Sequence, residues 1–266
     1  MIVAKMFNKL VTVLAALTVS CQAVPVEIDI GARVVNGTDA DIRDYPYTVS
    51  LQFNGRHTCG GSIIDPFNVL TAAHCVTRQL SSFTILYASS RLDDSNYNQR
   101  IIPLDRIIIH EGYTGRMPLY HDIAVLHLRE PIPFGEGALP IRLPEPFSPT
   151  PENVPAILTG WGLEQTGGSV QNVLQMVEIE VYADAECEWR HNQTGPTSRL
   201  WNVCAGVQEG GKGQCNGDSG GPLVVNGIEV GIVSWSVKPC TVQGYPGVYV
   251  KVSGYVEWIR SRLKHF

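Results

Sequence analysis

The stretch Gly213–Leu223 reads GQCNGDSGGPL and holds a single hydroxyl side chain, Ser219. Three glycines crowd around this Ser, and an Asp directly precedes it. Glycine-dense sequence is floppy unless the backbone needs positive φ or a close approach. The stretch therefore has two interpretations: a tight turn and nothing more, or a nucleophile with backbone N–H donors turned toward it.

The composition is that of a folded protein. Of 266 residues, 44% are hydrophobic and 17% are charged, which predicts an ample core in one large domain or two small ones. The formal net charge is −5 and no basic run occurs. Nucleic acid is therefore not an expected partner.

The N-terminus has the layout of a secretory signal peptide. Two lysines precede the short apolar run Leu10–Val19, and small residues follow it. A membrane anchor is the alternative, but this run is too short to span a bilayer comfortably. Residues 1–23 are predicted to be the signal peptide, cleaved after Ala23 or after Ser20, so the protein is expected to be secreted and extracellular, with no membrane partner.

The cysteine count suits an exported chain. Cys21 is expected to leave with the signal peptide, and six cysteines remain, an even number that suits three disulfides. These are Cys59, Cys75, Cys187, Cys204, Cys215 and Cys240. Spacing alone leaves the pairing open, and a zinc site is not expected because no close Cys pair meets a second Cys or His pair.

Short β-branched and aromatic runs, separated by Gly, Pro and Asn, predict an all-β sandwich or barrel. Asn226–Gly227 is a strong hairpin signal. The segment 140–155 contains six prolines and is expected to cross between two halves. Apolar residues at helical spacing near the C-terminus predict a closing helix over about 254–264.

Ser219 requires a base if it is a nucleophile, because a Ser hydroxyl reacts slowly until a neighbouring group takes its proton. The chain has seven His, and one of them, His74, lies in TAAHC beside a cysteine that could pin its backbone. Asp122 begins an apolar segment, where burial is costly unless the carboxylate accepts hydrogen bonds. It could orient an imidazole, or it could be a turn residue at a strand edge.

The chain closely resembles the chymotrypsin-like serine proteases. Five motifs carry the resemblance in the family's order: TAAHC (71–75), DIAVL (122–126), GDSGGP (217–222), SW (234–235) and PGVY (246–249). The resemblance covers 34–266 and implies two perpendicular six-stranded antiparallel β-barrels with a C-terminal α-helix. The first barrel is expected over about 46–140 and the second over about 141–252.

The resemblance also implies a role for each motif residue. His74 is the expected general base, Asp122 its orienting carboxylate and Ser219 the nucleophile. The backbone N–H groups of Gly217 and Ser219 are expected to form an oxyanion hole, and Ser234 is expected to support Asp122. Such a hole stabilises the tetrahedral intermediate by about 2.7–4 kcal/mol per donor.

The junction Arg33–Val34 has a meaning within this family. Cleavage there frees an α-amino group, which is expected to fold inward and pair with Asp218, since a buried carboxylate needs a partner. Residues 24–33 are thus an expected activation propeptide, removed by a trypsin-like activating protease. The resemblance further implies three disulfide pairs: Cys59–Cys75, Cys187–Cys204 and Cys215–Cys240.

Substrate preference depends on the pocket beside Ser219. The resemblance places Gly213 at the pocket base, where trypsin-like enzymes carry Asp, so a Lys or Arg side chain would remain unpaired there. The other predicted substrate-binding residues are Gln214, Ser234, Trp235, Ser236 and Gly247. The expectation is a roomy apolar pocket for Phe, Tyr, Leu or Trp. Ser236 and Gln214 keep an elastase-like or mixed preference open.

No metal or cofactor is expected: the segment matching a calcium loop of some relatives has Asp93 and Asp94 but no Glu. Two N-glycosylation sequons occur, and Asn192 is favoured over Asn36, which adjoins the new N-terminus. Protein or peptide substrates and protein protease inhibitors are the expected partners, and the resemblance implies a monomer. The leading hypothesis is a secreted digestive endopeptidase, against a non-catalytic homologue of the family.

Overall fold

The structure, a computed structural model, describes residues 34–94, 96 and 100–264. The predicted signal peptide and propeptide, including Arg33, lie outside the described residues. Of the helices in the described part of the chain, none is long and apolar enough to cross a membrane.

The first seven strands include all those of the first barrel. They are β1 (Thr38–Asp39), β2 (Thr48–Phe53), β3 (Arg56–Asp65), β4 (Asn68–Thr71), β5 (Phe83–Leu86), β6 (Ile101–Ile109) and β7 (Ala124–Leu128). Strands β2 to β7 close an antiparallel barrel in the order β2-β3-β4-β7-β6-β5. Closure leaves no free sheet edge and encloses a core of Val, Leu, Ile and Phe side chains.

Six more strands form the second barrel. They are β8 (Pro155–Gly160), β9 (Gln175–Val181), β10 (Asn202–Gly206), β11 (Pro222–Val225), β12 (Ile228–Trp235) and β13 (Gly247–Lys251). They pair antiparallel in the order β9-β10-β13-β12-β11-β8, and β8 also pairs with β9, which closes the barrel. The prediction of two six-stranded antiparallel barrels is confirmed. Strand β1 adds to β9, so the start of the described chain joins the second barrel.

The connections follow the turn residues. Asn226 and Gly227 join β11 to β12 with φ values of 50° and 73°, the two positive values that a tight hairpin of this kind needs. The proline-rich segment 140–155 links β7 of the first barrel to β8 of the second. Proline lacks the N–H that a central strand would donate, which is consistent with the absence of a strand between 140 and 154.

Two α-helices complete the described chain. Helix α2 (Val256–Ser261) follows a 3₁₀ turn at Val252–Tyr255, so the predicted C-terminal helix is present but shorter than expected. Its buried residues belong to the core of the first barrel, which ties the end of the chain to that barrel. The sequence did not predict helix α1 (Asp184–His191), whose buried Cys187 is bonded to Cys204 of β10.

Candidate active site

His74 lies on a short 3₁₀ helix, Ala73–Val76, directly after β4. The Cys59–Cys75 disulfide joins this helix to β3, so the backbone beside His74 is covalently held. The side chain of His74 is 27% exposed, whereas its neighbours Ala73 and Cys75 are buried. The ring therefore stands at the surface of the first barrel on a rigid base.

Asp122 precedes β7, and its side chain is completely buried. Its Oδ2 atom accepts hydrogen bonds from His74 Nδ1 at 2.7 Å and from Ser234 Oγ at 2.6 Å. Its Oδ1 atom accepts from the backbone N–H of His74 at 2.9 Å. Because the carboxylate only accepts, Nδ1 carries the proton, and Nε2 of the neutral ring is left as a base.

Ser219 sits in a turn that glycine makes possible. Gly217 and Gly220 have φ values of 93° and 79°, and a Cβ atom on Gly220 would lie 2.2 Å from Thr71 Oγ1. The carbonyl of Ser219 accepts from the N–H of Gly60 in β3 at 2.8 Å. The turn therefore lies against β3 and β4 of the first barrel, and β4 leads to His74.

Among the described residues, the structure contains no hydrogen bond between the Ser219 hydroxyl and His74. The imidazole is aligned by Asp122, but its link to the hydroxyl is not formed in this geometry. Catalytic hydrogen bonds are often long in free enzymes and tighten when substrate binds.

His57 is a site residue that the sequence analysis missed. Its Nε2 atom donates to the carbonyl of Gly217 at 2.9 Å, and its Nδ1 atom accepts from Ser50 Oγ at 2.8 Å. Burial lowers the pKa of His57 to about 4, and the bond to Gly217 opposes that shift only in part. At neutral pH a neutral ring therefore orients the peptide at Gly217. Because the two residues are separated by 160 positions in the sequence, sequence reasoning could not predict this contact.

Asp218 is completely buried behind the Ser219 turn. Its two carboxylate oxygens accept from the N–H groups of Gly162 and Cys215, each at 2.9 Å. Burial raises its pKa to about 7, while these bonds and the charge of Lys238 act in the opposite direction. A Cβ atom on Gly162 would lie 2.3 Å from the carboxyl carbon, so this position requires glycine.

Val34, the first described residue, is buried in the core of the second barrel. The next residue, Val35, forms an isolated β-bridge with Gly213, whose N–H donates to the Val35 carbonyl at 3.3 Å. The predicted new N-terminus thus begins inside the barrel that carries Asp218 and Ser219.

A cavity of about 160 Å³ opens beside Ser219. Four of the six predicted substrate-binding residues line it: Gln214, Ser234, Trp235 and Ser236. Cys215, Asn216 and Lys238 complete the lining. Gly213 and Gly247 do not line this cavity, and Lys238 was not anticipated from the sequence.

Gln214 separates Gly247 from the cavity. The side chain of Gln214 is almost fully buried, and its Nε2 atom donates to the carbonyl of Trp235 at 2.8 Å. A Cβ atom on Gly247 would lie 2.4 Å from the same Nε2. The space that a glycine at 247 leaves open is therefore filled by the Gln214 amide.

The disulfides have the pairings that the resemblance implies: Cys59–Cys75, Cys187–Cys204 and Cys215–Cys240. The third pair lies at the cavity, through Cys215. Cys59 and Cys75 cluster with His74 in the described chain, but both are disulfide-bonded and offer no thiolate to a metal.

Comparison with known proteins identifies the class. The family model for trypsin matches residues 34–259, so the chain belongs to the trypsin family of chymotrypsin-like serine proteases. Trypsin-1 from Astacus astacus is 37% identical to this chain over 240 residues. The match covers 86% of this chain and 99% of that trypsin.

Proposed function

We propose that this protein is a secreted serine endopeptidase that is made as a zymogen and acts through an acyl-enzyme. The observation that carries the proposal is the buried Asp122 carboxylate, which binds both His74 Nδ1 and Ser234 Oγ. A buried carboxylate with this hydrogen-bonding pattern holds one imidazole tautomer and stabilises the imidazolium that forms during catalysis.

In the proposed mechanism, Ser219 Oγ attacks the peptide carbonyl while His74 Nε2 takes its proton. Backbone N–H groups of Gly217 and Ser219 stabilise the oxyanion of the tetrahedral intermediate. His74 then gives the proton to the leaving amine, and the C–N bond breaks. Water, deprotonated by His74, then attacks the acyl carbonyl. The ester bond to Ser219 breaks as His74 returns the proton to Ser219 Oγ, and the acid product leaves.

Activation is proposed to follow removal of a signal peptide (1–23) and of a propeptide (24–33) by a trypsin-like protease. Asp218 is buried, its pKa is raised, and no cation among the described residues lies within ion-pair distance of it. These observations support the proposal that its carboxylate gains a cationic partner after cleavage. The buried position of Val34 is consistent with its α-amino group being that partner.

The preference for a large apolar or aromatic residue before the cleaved bond stays a prediction. The contacts of Gln214 favour the elastase-like or mixed alternative, because they close the space beside Gly247. Protein substrates, protein inhibitors, a monomeric state and glycosylation at the exposed Asn192 belong to the same proposal.

The test uses the chain without its signal peptide, cut by trypsin, with the trypsin then inhibited. Peptide substrates would vary only in the residue before the cleaved bond: Phe, Tyr, Leu, Ala, Val or Lys. Turnover that is lost in Ser219→Ala supports the proposal. A correctly cut protein that hydrolyses none of these or any other peptide would instead be a non-catalytic member of the family.

A further inference from the structure

Lys238 places a positive charge at the cavity beside Ser219. Its side chain lines the cavity, with Nζ 3.5 Å from Ser236 Oγ and 3.1 Å from Cys240 Sγ. Cys240 is bonded to Cys215, another residue of the lining. The ammonium group is thus on the same wall as the segment that runs from Ser234 to Ser236.

This charge has no carboxylate partner in the described chain. Two other lysines do form ion pairs: Lys251 with Asp184 and Lys264 with Asp105. Lys238 makes no such pair and interacts with Asp218 only through a longer-range charge effect. That effect would weaken further once Asp218 pairs with the α-amino group of Val34.

The rest of the lining suits a short polar side chain. The Gln214 amide fills the space beside Gly247, and Ser236 and Asn216 add polar groups to the lining. A large apolar group would strip water from the ammonium without replacing its hydrogen bonds, which is unfavourable. A carboxylate would replace that water with a charge-assisted hydrogen bond, about twice as strong as a neutral one.

We infer that Lys238 determines specificity, and that the cavity accepts an acidic side chain, Asp or Glu, from the substrate residue before the cleaved bond. The inference rests on the proposed function, since it requires a working Ser219. The preferred substrate side chain is then anionic, and not apolar as the sequence predicted.

The test adds Glu, Asp and Gln substrates to the peptide panel and measures kcat/KM for each. We expect the Glu or Asp substrate to exceed both the Gln and the Phe substrate by about tenfold, a value typical of one charge-assisted hydrogen bond. Added salt is expected to lower this advantage, because the Lys238 residue is exposed overall, although burial of its ammonium lowers the pKa. Equal rates for Glu and Gln substrates would overturn the inference.

Variants of the lysine sharpen the result. Lys238→Gln is expected to remove the advantage of Glu over Gln, and Lys238→Glu to reverse it in favour of Lys substrates. Lys212→Gln is the matched control: it loses the same charge from an exposed side chain that does not line the cavity. If Lys212→Gln has the same effect as Lys238→Gln, the preference comes from overall charge and the inference is wrong.

A fluorophosphonate probe separates the two proposals, because it labels an activated Ser whatever the substrate preference. Labelling that is lost in Ser219→Ala, together with a Phe preference, would leave the protease proposal standing and overturn the role of Lys238. No labelling of the cut protein would overturn the proposed function and this inference with it.

Discussion

The imidazole of His74 and the carboxylate of Asp122 are joined at 2.7 Å in a site where the carboxylate is fully buried and the imidazole is 27% exposed. The difference in exposure has a chemical consequence. The carboxylate is shielded from solvent and held by three hydrogen bonds, while Nε2 of the more exposed ring can receive a proton.

Replacing Asp122 with Asn should disable the site without unfolding it. The amide can still bind His74, but it favours the tautomer with the proton on the wrong nitrogen. We expect kcat to fall by about 10⁴-fold, as is typical of this substitution in a Ser-His-Asp triad. Steady-state kinetics would be measured with thermal unfolding as the control, and a loss below tenfold would contradict the role of Asp122.

Removing the hydroxyl of Ser234 should have a smaller effect on the same step. The Ser234→Ala variant leaves Asp122 with two of its three hydrogen bonds, and a hydrogen bond to a charged group contributes about 1.5–3 kcal/mol. A loss of roughly tenfold or more in kcat is expected. Ser261→Ala, which removes an exposed hydroxyl on α2, is the control and should leave kcat unchanged.

The ring of His57 should matter through the peptide at Gly217. In His57→Phe the bond to the Gly217 carbonyl is lost, and we expect kcat to fall by about tenfold or more with little change in KM. The lowered pKa of His57, about 4, also means that its contribution to stability is present above pH 6.5 and is lost as pH falls toward 4. In urea unfolding, the free energy of unfolding should fall less steeply between pH 6.5 and pH 4 in His57→Phe than in the parent protein.

Glu229 should make the protein less stable at high pH. It is completely buried: Oε2 accepts from Ser62 Oγ at 2.7 Å and Oε1 has no partner, so burial raises the pKa to about 8. The folded state therefore favours the protonated acid, and this stabilising effect is present below pH 4.5 and is lost as pH rises through 8.

The Glu229→Gln variant tests this dependence, because its side chain stays neutral at every pH. Its stability relative to the parent, measured by urea unfolding, should improve by several kcal/mol between pH 4 and pH 9. Glu178→Gln, on the exposed side of β9, is the control. A pH-independent difference would contradict a buried titrating acid.

Cleavage at Arg33–Val34 should stabilise the chain in a pH-dependent way. With a raised pKa of about 7, Asp218 disfavours the folded uncut chain increasingly as pH rises from 3.8 to 7. A new ammonium beside Asp218 would remove that loss, on the order of 4 kcal/mol at most. Calorimetry on cut and uncut Ser219→Ala should give equal Tm values near pH 4 and a higher Tm for the cut chain at pH 8.

Much of the architecture could be predicted from local pattern. Short β-branched runs with Gly, Pro and Asn turns indicated an all-β sandwich or barrel, and Asn226–Gly227 formed the expected hairpin. Helix α1 was not predicted because it has few apolar residues; its buried residues are Cys187, which is bonded to Cys204, and His191. Its stability comes from tertiary packing, which periodicity does not record.

The sequence by itself determined an all-β class, and its five ordered motifs, through their resemblance to the chymotrypsin-like serine proteases, predicted the two barrels and the candidate triad of His74, Asp122 and Ser219. Spacing left the cysteine pairing open, and the three pairs that the resemblance implies are present in the structure. Only the tertiary structure decided what surrounds them. It brought His57 to Gly217, left Glu229 with an unpaired oxygen, filled the space beside Gly247 with Gln214 and aimed Lys238 at the cavity. These contacts join residues on different strands and loops, and their energies depend on burial and direction, which no local stretch of sequence specifies.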